Sequence, residues 1–364
     1  MGSSPNWFTV RIPELFSAWL WRTFRRPRRF LFLVVMLPMV AVVVATHQLN
    51  VALTRRQALH NLAVTARLGA QIVQETLDAT LRAQRILLAQ PGFSSAVQRS
   101  DRQQLTQLLR NALPYIPRVD LVIVLNAQGD VVASYPEDQA PPGKHLGDRD
   151  PFLGGRNQLE PYVSAVYLRD GPQVEKVVGV VYPVVHGGAV VGLLQFQHRV
   201  EDVKSWLQSI RVDPDGFLYV VDHHQQLVVH PMQVLPGEPL LVSHWPPVAA
   251  PLPSDSAALR YRDAATRRVW LSGLAPVGFT GWRVVAVQPE ASALQSVRRV
   301  FWTLSLLVVL LLAGLVGISL RWAQLHAFCL RLLRQNTKLL KQLQQLRTLE
   351  RGGPSDAPTG RGGP

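Results

Sequence analysis

Residues 119–135, VDLVIVLNAQGDVVASY, contain two runs rich in β-branched residues, joined by Asn126-Ala-Gln-Gly-Asp130. Val and Ile favour strands, and a short polar segment that contains Gly permits a tight chain reversal. The stretch therefore predicts an antiparallel hairpin.

The same pattern returns three times further along the chain. KVVGVVYPVV and AVVGLLQFQ are joined by His186-Gly-Gly, FLYVVD and LVVH by residues 223–226, and VWLSGLAPV and WRVVAV by residues 278–281. Four hairpins with helical segments between them predict an α+β domain with antiparallel sheets. Their repetition is consistent with an internal duplication. The Pro-rich segment 234–257 is predicted to be an irregular excursion.

Two long uncharged runs flank this domain, Phe30–Thr54 and Val300–Leu320. A bilayer core about 30 Å thick needs about 20 helical residues, and buried helices of soluble proteins seldom stay uncharged over such a length. A signal peptide would have a shorter basic start than residues 1–29. We therefore predict transmembrane helices at residues 30–50 and 300–320.

The charge distribution predicts the orientation. Residues 1–29 carry six Arg and one Glu, and residues 321–364 carry eight basic and two acidic residues. Cytoplasmic flanks are enriched in Lys and Arg, so both ends are predicted in the cytosol and residues 51–299 outside. The net charge of +14 therefore lies largely beside the membrane, and we expect contact with the lipid bilayer and no binding of nucleic acid. The basic and aromatic segment 1–29 is either an interfacial segment or a poorly ordered tail.

Residues 55–90 show the apolar spacing of a helix and predict one long helix that rises from the membrane. The apolar positions are Leu59, Leu62, Val64, Leu68, Ile72, Val73, Leu77 and Leu81.

Several motifs carry a family resemblance. LNAQGDVVASY, Asp148-Arg-Asp-Pro-Phe152, VVGVVYPVVHGGAVVGLL, GFLYVVDHHQQLVVHP and GWRVVAVQPEASAL follow one another over roughly residues 48–299. In order and spacing they resemble the double Cache family of extracellular sensor modules, found in bacterial transmembrane chemoreceptors, sensor histidine kinases and diguanylate cyclases. The resemblance implies a bacterial inner-membrane protein with two tandem PAS-like subdomains, a distal one at about 90–200 and a proximal one at about 210–290.

In that family the distal subdomain usually holds the ligand, which implies a site within residues 119–197. The candidate lining residues are Tyr135, Arg149, Phe152, Tyr162, Tyr182 and Gln195. A guanidinium binds a carboxylate through two parallel hydrogen bonds, so Arg149 is the sharpest candidate. Its alternative role is a structural pairing with Asp148 or Asp150, or with loop carbonyls. Amino-acid-binding members have an Asp where Gln195 stands, so the resemblance implies an organic acid, another small polar solute, or no direct ligand.

Motifs of catalysis and metal binding are missing from the sequence. There is no Ser/His/Asp order, Walker loop, HExxH or CxxC pair, so we expect neither an enzyme nor a cofactor. His223, His224 and His230 lie in one predicted hairpin. Adjacent histidines on a strand point to opposite faces and share a metal only if they sit in the turn, so no metal site is expected. The single Cys329 falls on the cytosolic side, which leaves the outer domain without a disulfide.

A heptad pattern follows the second apolar run. With Trp322 at position a, leucines occupy every d position and Asn336 occupies an a position, the pattern of a parallel two-stranded coiled coil over residues 321–350. A lone amphipathic helix is the alternative. The predicted dimer residues are Leu325, Leu332, Asn336, Leu339, Leu343 and Leu346. Residues 351–364, rich in Gly and Pro, are predicted to be disordered.

These features predict a receptor or input subunit. A small extracytoplasmic ligand would shift the second span and the coiled coil of a homodimer, and a cytosolic kinase, cyclase or regulator would receive the signal. Two other functions stay open: the input half of a split or truncated histidine kinase or diguanylate cyclase, and a membrane-anchored binding protein without signalling.

Overall fold

A long helix, α1, opens the structure, a computed structural model that describes residues 27–112, 116, 119–156, 159–169, 174–212, 215–231, 237–264 and 266–350. The chain divides into two compact units between Val297 and Arg298. Most of the predicted basic segment 1–29 and the whole predicted tail 351–364 lie outside the described residues.

Helix α1 runs from Pro27 to Leu88, so the first predicted span and the predicted helix of residues 55–90 form one element of 62 residues. Its interior contains one proline, Pro38. The helix stops before Pro91-Gly92, where Gly92 takes a φ of +81° that L side chains rarely adopt.

Two short helices follow, α2 Phe93–Gln98 and α3 Arg102–Ala112. Asp101 caps α3, because its Oδ1 accepts a hydrogen bond from the backbone N–H of Gln104 at 3.1 Å. The buried side chains of both helices cover one face of the first sheet.

The first, distal sheet is antiparallel and has the order β2-β1-β6-β5-β3, with β4 also paired to β5. Its strands are β1 Leu121–Asn126, β2 Val131–Tyr135, β3 Tyr162–Val163, β4 Tyr167–Arg169, β5 Glu175–His186 and β6 Ala189–Arg199, and the short helix α4 Asp150–Gly155 lies between β2 and β3. Side chains alternate along β1: Val122 and Val124 belong to the cluster beneath α2 and α3, and Leu121 and Ile123 to the cluster on the opposite face.

The second, proximal sheet has the order β8-β7-β11-β10-β9, which repeats the arrangement of the first. It follows helix α5 Val200–Trp206 and contains β7 Phe217–Val221, β8 Leu227–Val229, α6 Pro246–Ala249, β9 Ala257–Arg262, β10 Val269–Pro276 and β11 Arg283–Pro289. All four predicted hairpins are present, and the predicted α+β fold with two tandem antiparallel sheets is confirmed.

Helix α7 Glu290–Ala293 and helix α8 Gln295–Glu350 complete the chain. Met36–Leu88 and Gln295–Lys341 are both long and apolar enough to cross a membrane. The fold therefore consists of two antiparallel sheets flanked in sequence by two long apolar helices.

Helix α1 packs on the proximal sheet through a stripe that differs from the predicted one. Val64 and Leu68, both predicted on the apolar face, are 40% and 51% exposed, whereas Ala66 and Ala70 are buried. Small residues bring the helix close to β10, where a side chain at Gly273 would overlap the Leu62 carbonyl. Close approach of the backbones, rather than maximal apolar bulk, decides which face of the helix is buried.

Ion pairs among Arg55, Arg260 and Glu290 connect α1 to the end of the proximal sheet. Glu290 accepts hydrogen bonds from Arg260 at 3.0 and 2.9 Å and from Arg55 Nε at 2.5 Å. Arg260 and Arg55 hold the pKa of Glu290 below its ordinary value. The two ends of the domain that lead into the long apolar helices are thereby joined.

Candidate functional site

A small, partly open cavity of about 30 Å³ lies on the distal sheet, on the face opposite α2 and α3. Strands β1 and β6 form its floor, and the segment between β2 and α4, together with β4, forms its walls. Its lining residues are Leu121, Ile123, Gln139, Ala140, Lys144, Leu146, Arg149, Pro151, Tyr167, Leu168, Arg169, Gln195 and Gln197.

Strand register places the two floor amides side by side. Gln195 pairs with Ile123 and Gln197 with Leu121, and residues two apart on a strand share a face. Both glutamines are 3% exposed. Gly179 on β5 leaves room for them, because a β-carbon there would lie 2.9 Å from Gln195 Nε2.

Tyr167 connects the two amides. Its hydroxyl accepts hydrogen bonds from Gln195 Nε2 at 2.7 Å and from Gln197 Nε2 at 2.8 Å. Burial raises the pKa of Tyr167, so the hydroxyl stays protonated at neutral pH.

Two amide oxygens of the lining lack a hydrogen-bond partner among the residues that the structure describes, Gln139 Oε1 and Gln197 Oε1. A buried acceptor without a donor costs about 1–3 kcal/mol. These two oxygens can therefore accept hydrogen bonds from a bound molecule or from water.

The charged groups of the lining are all cationic: Lys144, Arg149 and Arg169. Asp120 and Glu175 bind the Arg169 guanidinium, so its charge is matched within the protein. Arg149 immediately precedes α4, and its Nη1 donates to the Leu168 carbonyl at 3.3 Å. Since the described lining holds no carboxylate, its electrostatics favour an anionic ligand over a cationic one.

Hydrogen bonds attach the wall segment between β2 and α4, which contains Gln139, Lys144 and Arg149, to strand β2. Ser134 Oγ donates to the Ala140 carbonyl at 2.6 Å, and the Val131 N–H donates to the Lys144 carbonyl at 2.9 Å. His145 Nδ1 lies 2.8 Å from Asp130 Oδ1. These contacts hold the wall against the edge of the sheet.

The structure brings together two of the six predicted site residues, Arg149 and Gln195, in the cavity lining. The other four lie outside it. Tyr135 packs with the cluster beneath α2 and α3, and the Tyr182 hydroxyl lies 3.3 Å from Arg85 Nε of α1. Phe152 is 3% exposed in the core, and Tyr162 faces the junction between the subdomains.

Sequence reasoning missed Gln139, Lys144, Tyr167, Arg169 and Gln197 in the lining. Gln197 had a usable signal, since it stands two positions after Gln195 on a predicted strand. The others come from loops and a short strand whose placement depends on tertiary packing.

A second polar cluster joins the two subdomains. The Tyr162 hydroxyl donates to Asp150 Oδ1 at 3.0 Å and lies 3.0 Å from His223 Nε2 in the turn between β7 and β8. Beside it, Asp222 accepts a hydrogen bond from the Val166 N–H at 2.9 Å. Burial raises the pKa of Asp222 and lowers that of His223.

Larger grooves occur elsewhere, but their walls are less specific. One of about 410 Å³ runs beside β7 and is lined mainly by apolar side chains such as Leu207, Ile210 and Phe217. Another of about 370 Å³ lies between α1 and α3. The distal cavity combines buried amides with cationic groups and is therefore the better candidate for a specific ligand.

The fold is that of an extracellular sensor domain placed between two long apolar helices. The sequence matches the family model dCache_1, described as a Cache domain, over residues 50–297. This match covers more than half of the chain, and the chain therefore belongs to the Cache domain family. The family and the two helices fit a membrane-anchored receptor.

Solved structures share this fold. One is the ligand-binding domain of the Pseudomonas aeruginosa PAO1 amino acid chemoreceptor PctB in complex with L-Gln, at 16% identity and a TM-score of 0.50, covering 64% of this chain and 91% of that chain. Another is the ligand-binding domain of the Pseudomonas fluorescens chemoreceptor CtaA in complex with L-isoleucine, at 16% identity and a TM-score of 0.50, covering 66% and 96%.

A third, Methyl-accepting Chemotaxis protein X, is 13% identical with a TM-score of 0.51, covering 64% of this chain and 98% of that chain. At these identities the likeness concerns the fold alone. A search of curated proteins found no significant match.

Proposed function

We propose that this chain is a transmembrane receptor that binds a small carboxylate in the distal cavity and passes the signal inward through α8. The observation that carries the proposal is the lining of the cavity, which combines Arg149 with the unpaired amide oxygens of Gln139 and Gln197. An arginine and two acceptors together suit a carboxylate ligand that also presents a hydrogen-bond donor, such as a hydroxyl group.

The class of ligand follows from the charges of the lining. An α-amino acid has an ammonium group, and burying such a charge is costly unless an opposite charge pairs with it. The described lining offers amide oxygens and no carboxylate, with Gln195 on the floor. A hydroxy acid or another organic acid fits this set better than an amino acid does.

Binding requires the cavity to open. Ligand sites usually occupy about 300–1,000 Å³, and this cavity measures about 30 Å³. We propose that the wall between β2 and α4 moves outward and closes over the ligand, with Arg149 at its end. Such a movement displaces α4, and with it Asp150 at the junction between the subdomains.

The test is isothermal titration of the full chain in lipid nanodiscs with a panel of hydroxy acids, dicarboxylates and α-amino acids. We expect an organic acid to bind, and the Arg149→Ala variant to bind it ten- to a hundredfold more weakly. Hydrogen bonds to charged groups contribute about 1.5–3 kcal/mol, and each 1.4 kcal/mol corresponds to about tenfold in affinity.

Arg156→Ala is the matched control, since Arg156 ends the same helix and lies over the Phe152 ring, 5.9 Å from its centroid, outside the lining. Its affinity should equal that of the unmodified chain. A carboxylate that binds Arg149→Ala and the unmodified chain equally would contradict the proposed site.

For the output, we propose a parallel homodimeric coiled coil over residues 321–350 that presents the signal to a separate cytosolic partner. Helix α8 is continuous through this region, and Leu325, Leu332 and Leu339 are 61%, 46% and 55% exposed in the single chain. Apolar d-position side chains that are exposed in one chain are buried in a dimer. Leu343 and Leu346 lie in the helix, but their side chains are outside the described residues.

Disulfide cross-linking in membranes tests this dimer. In a Cys329→Ser background, Leu339→Cys at a d position should give a covalent dimer as the main product after mild oxidation. Lys338→Cys, one position earlier on the outer face of the proposed coil, should give little. Equal cross-linking at the two positions, or none at either, would argue against the heptad register.

A further inference from the structure

The turn between β7 and β8 brings two histidines to a carboxylate of the other subdomain. His223 and His224 lie in this turn, and Asp150 begins α4 in the distal subdomain. One nitrogen of each histidine and one carboxylate oxygen of Asp150 lie within 4.8 Å of one another. Adjacent histidines share a site here because they stand in a turn and not on a strand.

Hydrogen bonds fix two of these three groups. Asp150 accepts from the Tyr162 hydroxyl at 3.0 Å and from the backbone N–H of Ala165 at 2.8 Å. The Tyr162 hydroxyl has one proton and gives it to the carboxylate, which can only accept, so it accepts in turn from His223 Nε2–H at 3.0 Å. Such supporting contacts orient metal ligands and set their tautomers.

This tautomer leaves the lone pair of His223 on Nδ1. That nitrogen is buried and has no hydrogen-bond partner within the described part of the chain. The ring of His224 lies 4.4 Å from that of His223, centroid to centroid, and His224 is exposed. The lone pair of an imidazole next to a second imidazole is a strong ligand for a transition metal.

The chemistry of the set matches a divalent cation. Zn²⁺ takes imidazole and carboxylate ligands, with water at a remaining position. With bonds of about 2.1 Å, tetrahedral ligands lie about 3.4 Å apart, so three groups that lie within 4.8 Å of one another need only a small approach to bind one ion. The buried carboxylate of Asp222 adds negative charge close to both histidines.

We propose that Asp150, His223 and His224 bind a divalent transition-metal ion, with Zn²⁺ the best match, across the junction between the two subdomains. The ion ties the β7–β8 turn to the start of α4. This site is separate from the carboxylate cavity and does not depend on the ligand proposed there.

The experiment uses the full chain in nanodiscs, purified without a polyhistidine tag, stripped with chelator and titrated with ZnCl₂. We expect one high-affinity site per chain and a rise in the temperature of unfolding on saturation. His224→Ala should weaken the affinity at least tenfold without changing the unfolding of the metal-free chain, because His224 is exposed. His223→Ala and Asp150→Asn should weaken it further.

His186→Ala is the matched control, since His186 lies at the end of β5 and contacts Ser94 at 3.1 Å, outside both the cluster and the cavity wall. Its Zn²⁺ affinity should equal that of the unmodified chain. Co²⁺ bound at the site should show the visible absorption of a low-symmetry complex, and this absorption should disappear in His224→Ala. Absence of high-affinity binding, or an affinity unchanged by both His224→Ala and His223→Ala, would overturn the proposal.

Discussion

Gly273→Ala is expected to destabilise the outer domain by about 3 kcal/mol, the upper end of the usual cost of overpacking. The added methyl group would overlap the carbonyl of Leu62 and the backbone nitrogen of Ala63 in α1. Backbone atoms of a long helix cannot rotate away as a side chain can, so α1 has to lift from β10. All apolar contacts on either side of Gly273 then loosen together.

Thermal unfolding of the full chain in nanodiscs measures this effect. About 3 kcal/mol corresponds to a midpoint lowered by about 6–12 °C in a domain of 150–250 residues. Ala275→Gly is the control of equal size, since Ala275 is buried two positions along the same strand. It removes one methyl group and should cost about 1 kcal/mol. Equal shifts in the two variants would show that α1 does not approach β10 as closely as described.

Arg169→Ala is expected to destabilise the domain by about 3 kcal/mol, because it removes the buried cation that binds two carboxylates near the cavity and leaves Glu175 without its ion-pair partner. The Arg169 side chain is 9% exposed, and those of its partners Asp120 and Glu175 are 19% and 26% exposed. Breaking a buried ion pair by removing one partner costs about 3–5 kcal/mol, and the partial exposure of the two carboxylates favours the lower end.

The comparison variant is Arg102→Ala, which removes an exposed pair with Glu137 and should cost well under 1 kcal/mol. Adding Glu175→Gln to Arg169→Ala should restore part of the lost stability, since it removes the carboxylate that loses its ion pair, whereas Asp120 still has Arg199 Nε at 3.7 Å. Similar unfolding midpoints for Arg169→Ala and Arg102→Ala would contradict a structural role for Arg169.

Local sequence signals predicted the sheets well. Each hairpin combines β-branched runs with a short turn, and these signals act between residues close in sequence, so all four hairpins could be placed. The two long uncharged runs that predict membrane-spanning helices can also be recognised from neighbouring residues alone. The packing face of α1 was harder to predict, because a pattern based on apolar bulk ranks Leu68 above Ala66 although the sheet requires small residues there.

The faces of individual strand residues could not be predicted because bulges interrupt the alternation. The register of β1 and β2 shifts between Val124 and Leu125, and that of β5 and β6 between Val184 and Val185. Each shift changes which side chains share a face. Tyr135 and Tyr182 were predicted to line the site from the family resemblance, and both lie outside its lining; Tyr182 pairs with Leu194, next to the Val181–Gln195 pair, and so points away from Gln195.

The polar cluster at the junction between the two subdomains could not be predicted from the local sequence, for a different reason. The histidines were visible as a pair, but Asp150 and Tyr162 reach them only through the packing of one subdomain on the other. A motif search finds ligands spaced along one element and misses a set assembled from two.

The uninterrupted helix α1 has a mechanical consequence. Its Gln84 amide donates to the carbonyls of Val180 and Leu194 in the distal sheet, at 2.8 and 3.1 Å, and its lower turns pack on β10. Pro38, the proline inside the helix, stands in the apolar run. Above it, one continuous helix contacts both sheets, so a displacement of the distal sheet along α1 is carried to the contact with the proximal sheet. The two subdomains therefore share one structural element and cannot move along it independently.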